Sequence, residues 1–218
     1  MKCFKHLGLI ALSLAGLQGA QAGTLFSDNF NSENGGVGTL NYTGFANWNV
    51  ASGGGAVDLI GNGFFDFLPG NGLYVDTEGS TGLGGTMVTK STFNFVPGLD
   101  YTLSFDLAGD QRGGDRSEIV TVGGGSILDK DLVLPSGQGF TLETFSFTVS
   151  SDESSTLSFA AGENGDVGLL LDNVELTSAS PNGVPDSGNT AILLAGGGAA
   201  LALMSGLSRN QRQTVRVQ

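Results

Sequence analysis

The chain holds one cysteine and one histidine, Cys3 and His6, both within its first six residues. From Leu7 onward there is neither thiol nor imidazole. A disulfide, a Cys nucleophile, a Ser-His-Asp triad and a His-bound zinc hydrolase are thereby excluded from everything downstream. Positive charge is nearly as scarce. Of nine Lys and Arg, five stand in the terminal segments: Lys2, Lys5, Arg209, Arg212 and Arg216. Only Lys90, Arg112, Arg116 and Lys130 remain between them, against 21 acids from Asp28 to Asp186, a net charge of −17. Such a field repels nucleic acid and anionic lipid, because phosphate recognition needs a basic footprint. Neutral glycans, calcium or plain solubility outside a cell are compatible with it.

What is present at the two ends reads as addressing. Lys2 and Lys5 precede Leu7 to Gly16 (LGLIALSLAG), an apolar run too short to span a bilayer, and Ala20-Gln21-Ala22 follows as a small-x-small cleavage site. That order is a secretory signal peptide over residues 1–22, with a mature start near Gly23. Cys3 lies before the apolar run, where a lipoprotein cysteine would follow it, so lipidation is excluded. At the other end, Thr190 to Leu207 gives 18 residues without a charge. This is at the short limit for a transmembrane helix, where about 20 apolar residues are usual. Gly196-Gly197-Gly198 weaken it, so the expectation is a temporary inner-membrane anchor over 190–207. Arg209, Arg212 and Arg216 favour a cytoplasmic tail.

The segment before that anchor is Val184-Pro185-Asp186-Ser187-Gly188. Motif, apolar run and arginines together resemble the VPDSG-type C-terminal sorting domain of Gram-negative bacteria, a variant of the PEP-CTERM signal. The resemblance covers residues 184–212. It implies recognition by an exosortase, a membrane-embedded cysteine transpeptidase, and a host that makes exopolysaccharide. The motif departs from the usual Val-Pro-Glu-Pro, and the arginines are spread along a tail that reaches Gln218.

Between the addresses, residues 23–178 suit one domain, with a linker over 179–183. Leu99 to Leu107 (LDYTLSFDL) alternates apolar and polar with period two, as do Phe140 to Val149 and Thr156 to Ala160. Thr92 to Val96, Glu118 to Val122 and Leu169 to Leu176 follow the same pattern. Pro97-Gly98, Gly123-Gly124-Gly125, Pro135-Ser136-Gly137 and Asn164-Gly165 punctuate them as turns. No helical period occurs outside the two ends. About ten short strands with Gly-rich turns predict an all-β fold, an antiparallel β-sandwich of the jelly-roll type. The signal helix and the transmembrane helix are appended to it.

Asp28-Asn29-Phe30 with Asn47-Trp48-Asn49-Val50, and Leu171-Asp172-Asn173-Val174-Glu175-Leu176, resemble the opening and closing strands of jelly-roll carbohydrate-binding modules. That resemblance implies a structural calcium where first and last strands meet, with Asp28 and Asp172 as ligands. Calcium takes six to eight oxygens, so carbonyls and water would complete the shell. The alternative is a pair of solvated or turn-forming acids. Trp48 is either a core residue, as in the modules it resembles, or a platform for a sugar ring.

Gly63 to Gly70 (GFFDFLPG) exposes an aromatic unless something covers it. Phe64 and Phe67, with Asp66 beside them, are candidate glycan contacts, because sugars bind aromatic faces rimmed by polar groups. Asn62 and Asn71 are further polar candidates. The alternative is packing at a strand edge. Gly109 to Arg116 (GDQRGGDR) is either a solvated hairpin tip or a carboxylate-arginine contact to hydroxyls. The glycine runs lack the following helix and Lys of a phosphate loop.

Catalysis could rest only on a carboxylate pair, as in glycoside hydrolysis, and 21 acids single none out. The leading expectation is therefore an exported, non-catalytic protein of the cell surface or extracellular matrix, sorted and cut by an exosortase near Pro185 to Gly188. No cofactor beyond that calcium is expected. The alternative expectation gives the domain a specific activity, binding carbohydrate such as exopolysaccharide.

Overall fold

The computed structural model describes residues 22–51 and 55–179. Most of the signal peptide, the Val184 to Gly188 motif, the apolar segment 190–207 and the arginine tail lie outside the described residues. Within them no α-helix occurs and there are thirteen strands, more than the ten expected. The first six are β1 (Ala22–Asp28), β2 (Trp48–Val50), β3 (Asp58–Gly61), β4 (Leu73–Asp76), β5 (Thr86–Thr89) and β6 (Phe93–Phe95). There follow β7 (Tyr101–Ala108), β8 (Arg116–Val122), β9 (Leu128–Leu134) and β10 (Thr141–Phe147). The last three are β11 (Glu153–Ser155), β12 (Leu157–Ala161) and β13 (Leu170–Ala179).

Two antiparallel sheets form the sandwich. One has the order β10-β7-β13-β4-β3, with β1 also paired to β13; the other has the order β2-β5-β12-β8-β9. β6 and β11 make a separate two-stranded ribbon. The long β13 is the keystone of the first sheet. β7 runs along one edge of it, while β4 takes Leu170 and Leu171 on the other and β1 takes Val174 to Ala179.

Alternation explains the inner faces. Tyr101, Leu103, Phe105 and Leu107 of β7 are buried, and Thr102, Ser104 and Asp106 between them are partly exposed. Phe105 meets Phe159 of the opposite sheet edge-to-face at 5.0 Å, and Phe159 meets Trp48 at 5.8 Å. Trp48 is thus a core residue with no exposed surface. Its indole Nε1 donates to Asp28 Oδ2 at 2.9 Å, which satisfies the polar end of a buried ring.

β3 and β4 do not alternate, because they are buried on both faces. Leu59, Leu73 and Val75 enter the main core. Ile60 and Tyr74 instead join Ala108 and Leu170 in a second cluster on the outer face of the same sheet. Phe64, Phe67, Leu68 and Phe140 pack over that cluster. The segment between β3 and β4 is therefore a loop folded back across the sheet, which positions the site described next.

Candidate functional site

The outer face of β3 and β4 carries a cross-strand pair of acids, Asp58 opposite Asp76. Like charges placed opposite each other destabilise a sheet unless each finds donors. Asp58 accepts from Asn41 N at 2.6 Å, Ser80 N at 3.3 Å and Ser80 Oγ at 2.8 Å. Asp76 accepts from Glu78 N at 3.0 Å and Gly168 N at 2.8 Å through Oδ1. Its Oδ2 receives Arg112 Nη2 at 2.6 Å. Burial nevertheless pushes the Asp76 carboxyl up to about 7, opposed by Arg112 and the two backbone donors and reinforced by Asp58.

Arg112 comes from the Gly-rich loop after β7, and Asp110 builds that loop. Its carboxylate accepts from Arg112 N at 2.6 Å and Gly113 N at 2.7 Å. The guanidinium so placed lies 5.1 Å from the centre of the Phe67 ring. The loop after β7 and the loop after β3 thus meet over the outer face. Leu40, Asp58, Ile60, Phe65, Phe67, Asp76, Ser80 and Arg112 line a depression of about 40 Å³ there. Phe65 is 51% exposed, and its backbone has φ +44°.

Of the residues expected from sequence, Phe67 and the Arg112 of the GDQRGGDR loop line this depression. Phe64 turns into the outer cluster and meets Phe65 edge-to-face at 4.9 Å. Asp66 accepts from Tyr74 Oη at 3.2 Å and Gly63 N at 3.1 Å, holding the loop closed. Asn71 Nδ2 does similar work on Leu68 O at 2.7 Å. Asn62 Nδ2 reaches Gly36 O at 3.4 Å. Leu40, Asp58, Asp76 and Ser80 went unforeseen, and only the strand pairing brings them together.

Asp28 and Asp172 lie near one another at the junction of β1 and β13. The Asp172 carboxyl is pushed up to about 7 by burial first, then by Asp106 and Asp28, against the Asn173 N–H that it accepts. Asp28 Oδ1 accepts Phe30 N at 2.9 Å, and Oδ2 takes both Trp48 Nε1 and Asn47 Nδ2, the latter at 3.1 Å. Only Oδ1 retains a lone pair for another partner.

A third acidic group sits where the loop 162–169 crosses the end of the sandwich. Glu118 has the same inward phase on β8 as Val120 and Val122. It is fully buried, and neither carboxylate oxygen has a hydrogen-bond partner. Burial lifts its pKa to about 8, aided by Glu78, Asp76 and Glu163; the neighbouring Thr77 hydroxyl pulls the other way but is turned to Leu169 O at 3.2 Å, outside hydrogen-bond reach of the carboxylate. Glu78 is also raised by burial, Arg116 and the Val167 N–H opposing and Glu163 and Asp110 reinforcing. An acid in phase with two inward valines was the sequence signal for this group.

A jelly-roll sandwich with its loops gathered over one outer face is the architecture these residues define. The chain matches no protein family's sequence profile and none of the curated proteins. Among solved structures it is similar to the K3 cleaved adhesin domain of Lys-gingipain from Porphyromonas gingivalis. The identity there is 17% and the TM-score 0.50, over 72% of this chain and 99% of that one. Two carbohydrate-binding modules also align. The CBM22-1 xylan-binding domain of Paenibacillus barcinonensis Xyn10C has 14% identity and TM-score 0.47, over 77% of this chain and 100% of that one. The C-terminal CBM6 of the Zobellia galactanivorans laminarinase LamC has 13% identity and TM-score 0.42, over 72% and 99%. The likeness to the gingipain domain is one of fold.

Proposed function

We propose that this chain is a non-catalytic, exported glycan-binding domain, and that a neutral sugar sits on Phe65. The observation that carries the reading is Phe65 itself. A bulky residue with positive φ is uncommon, and such a backbone costs of order 1–3 kcal/mol. Here the strained position holds an aromatic ring half out in solvent at φ +44°, beside Phe67, Arg112 and Ser80. Aromatic faces with a few convergent polar groups suit sugars. A depression of about 40 Å³ admits a hydroxyl or hydroxymethyl group but not a ring. The sugar therefore stacks on Phe65 and sends one such group toward Ser80 and Arg112. Two acids against one arginine, within a domain so acidic, disfavour uronates.

A glycan array probed with the full chain tests this, alongside a Phe65→Asn variant, because Asn tolerates positive φ. Binding to neutral polysaccharides is expected, weakened roughly tenfold (about 1.4 kcal/mol) in the variant without loss of melting temperature. Failure of the wild type to bind any polysaccharide, the host's own included, sinks the reading.

Delivery belongs to the same proposal. The signal peptide, the Val184 to Gly188 motif and the basic tail support export followed by exosortase cleavage, with the apolar segment as a temporary anchor. Sharing its fold with an adhesin domain is compatible with a surface role. Mass spectrometry of the mature protein should find a C-terminus upstream of Thr190. An intact Gln218 on the surface form would contradict processing. Calcium at Asp28 and Asp172 is supported by their proximity and by the lone pair left on Asp28 Oδ1. A melting temperature unmoved by chelator in both wild type and Asp172→Asn would remove it.

A further inference from the structure

The Glu118 carboxylate faces the interior between the sheets, and neither oxygen has a hydrogen-bond partner, because the neighbouring Thr77 hydroxyl donates to Leu169 O at 3.2 Å. Glu78 is its foremost acidic neighbour, is equally inaccessible, and has an unpartnered Oε1 of its own. Two neighbouring buried carboxyls are costly to ionise together unless a positive charge balances them. Arg116 stands beside Glu78, yet its Nε is also unpartnered. Among the described residues the Arg112–Asp76 pair is the one salt bridge, so Glu78 and Glu118 have none.

The loop above is shaped around these groups. A side chain at Gly165 would place its Cβ 2.3 Å from Glu78 Oε2. One at Gly168 would come within 2.5 Å of Glu78 N and 2.8 Å of Asp76 Oδ1. Two glycines therefore let the backbone close over Glu78 and Asp76, with Arg116 Nη2 also 3.7 Å from the Gly165 position, and Glu78 Oε2 takes the Val167 N–H at 3.4 Å from that same loop.

We propose that Glu118 and Glu78 together hold one divalent cation of the calcium class beneath the 162–169 loop. The domain has no thiolate or imidazole, which sets aside the softer transition metals. Magnesium keeps several waters and demands an octahedron, which a closed position does not favour; calcium accepts irregular oxygen shells. Among the described residues no three acidic side chains form a ready cage, so the charge here comes from a pair. Backbone, hydroxyl or water oxygens would have to complete the six to eight that calcium takes. The position is separate from Asp28 and Asp172, and does not depend on glycan binding.

The test is calcium stoichiometry by equilibrium dialysis on the full chain, with melting curves in calcium and in chelator. Glu118→Gln and Glu78→Gln should each lose one equivalent relative to wild type. Calcium at a hundredfold excess over its Kd should raise the wild-type melting temperature by about 5–10 °C. Each variant should lose this site's share of that rise. Because Glu118→Gln alters the core, Glu78→Gln provides the reading if the former fails to fold. Unchanged stoichiometry in a folded variant overturns the proposal, as does a wild type that binds no calcium. So does a Glu118→Gln protein that melts higher than wild type in calcium and chelator alike, which would mark a buried acid without a metal.

Discussion

Asp28 gathers three donors, Phe30 N, Asn47 Nδ2 and Trp48 Nε1, and so ties the end of the first strand to the indole in the core. Substituting Asp28→Ala strands all three. A buried donor left without an acceptor costs about 1–3 kcal/mol. Asn47 is solvent-exposed, so the expected loss is roughly 2–4 kcal/mol, dominated by the other two. Urea unfolding in chelator, followed through the fluorescence of the single tryptophan, measures it directly. A loss below about 0.5 kcal/mol would show that Trp48 needs no such anchor.

At the scale of elements, legibility followed periodicity. β7, β10 and β12 were visible because their apolar residues fall on every second position against one solvated face. β3 and β4 are buried on both sides, so alternation carries no signal in Asp58-Leu59-Ile60; Gly72 to Thr77 nevertheless reads as an inner strand from its apolar residues, and β4 is there. The run Phe64 to Leu68 reads as exposed aromatics or as packing at a strand edge; positive φ at Asn62 and Phe65 instead folds it into a cover for Ile60 and Tyr74. That also limited the site. The aromatic loop and the arginine loop were each conspicuous in the sequence, but their meeting at Asp76 depends on pairing between residues far apart in the chain. Glu118 shares its phase with Val120 and Val122, but Ile119 gives the other face of β8 an apolar residue too, so the pattern alone leaves open which face is inner.

Across the whole molecule, the raised carboxyls set the pH response. Asp76 and Asp172 stand at about 7 against a reference of 3.8, and Glu118 at about 8 against 4.5. Each therefore binds its proton more tightly in the folded state than in the unfolded one. The stability this linkage contributes is fully present below the unfolded values and is lost as pH rises through the folded ones. In chelator, the melting temperature should climb as pH is lowered from 8 toward 5, and Glu118→Gln should flatten part of that slope. Self-repulsion among the excess acids acts in the same direction. A chain that melts lowest near pH 5 in chelator would contradict the assignment of these three groups.

The pairing of β1 with β13 has a consequence in time. Thr24 Oγ1 donates to Glu175 at 3.0 Å across 151 residues of sequence, and β13 is the strand against which β1, β4 and β7 all assemble. Contacts so distant along the chain are slow to form, since a long loop must close before any of them rewards it. The first strand therefore waits for the last. The hairpins β3–β4 and β8–β9 can pair as soon as they are made, but the first sheet is joined into one only when β13, at the end of the domain, arrives.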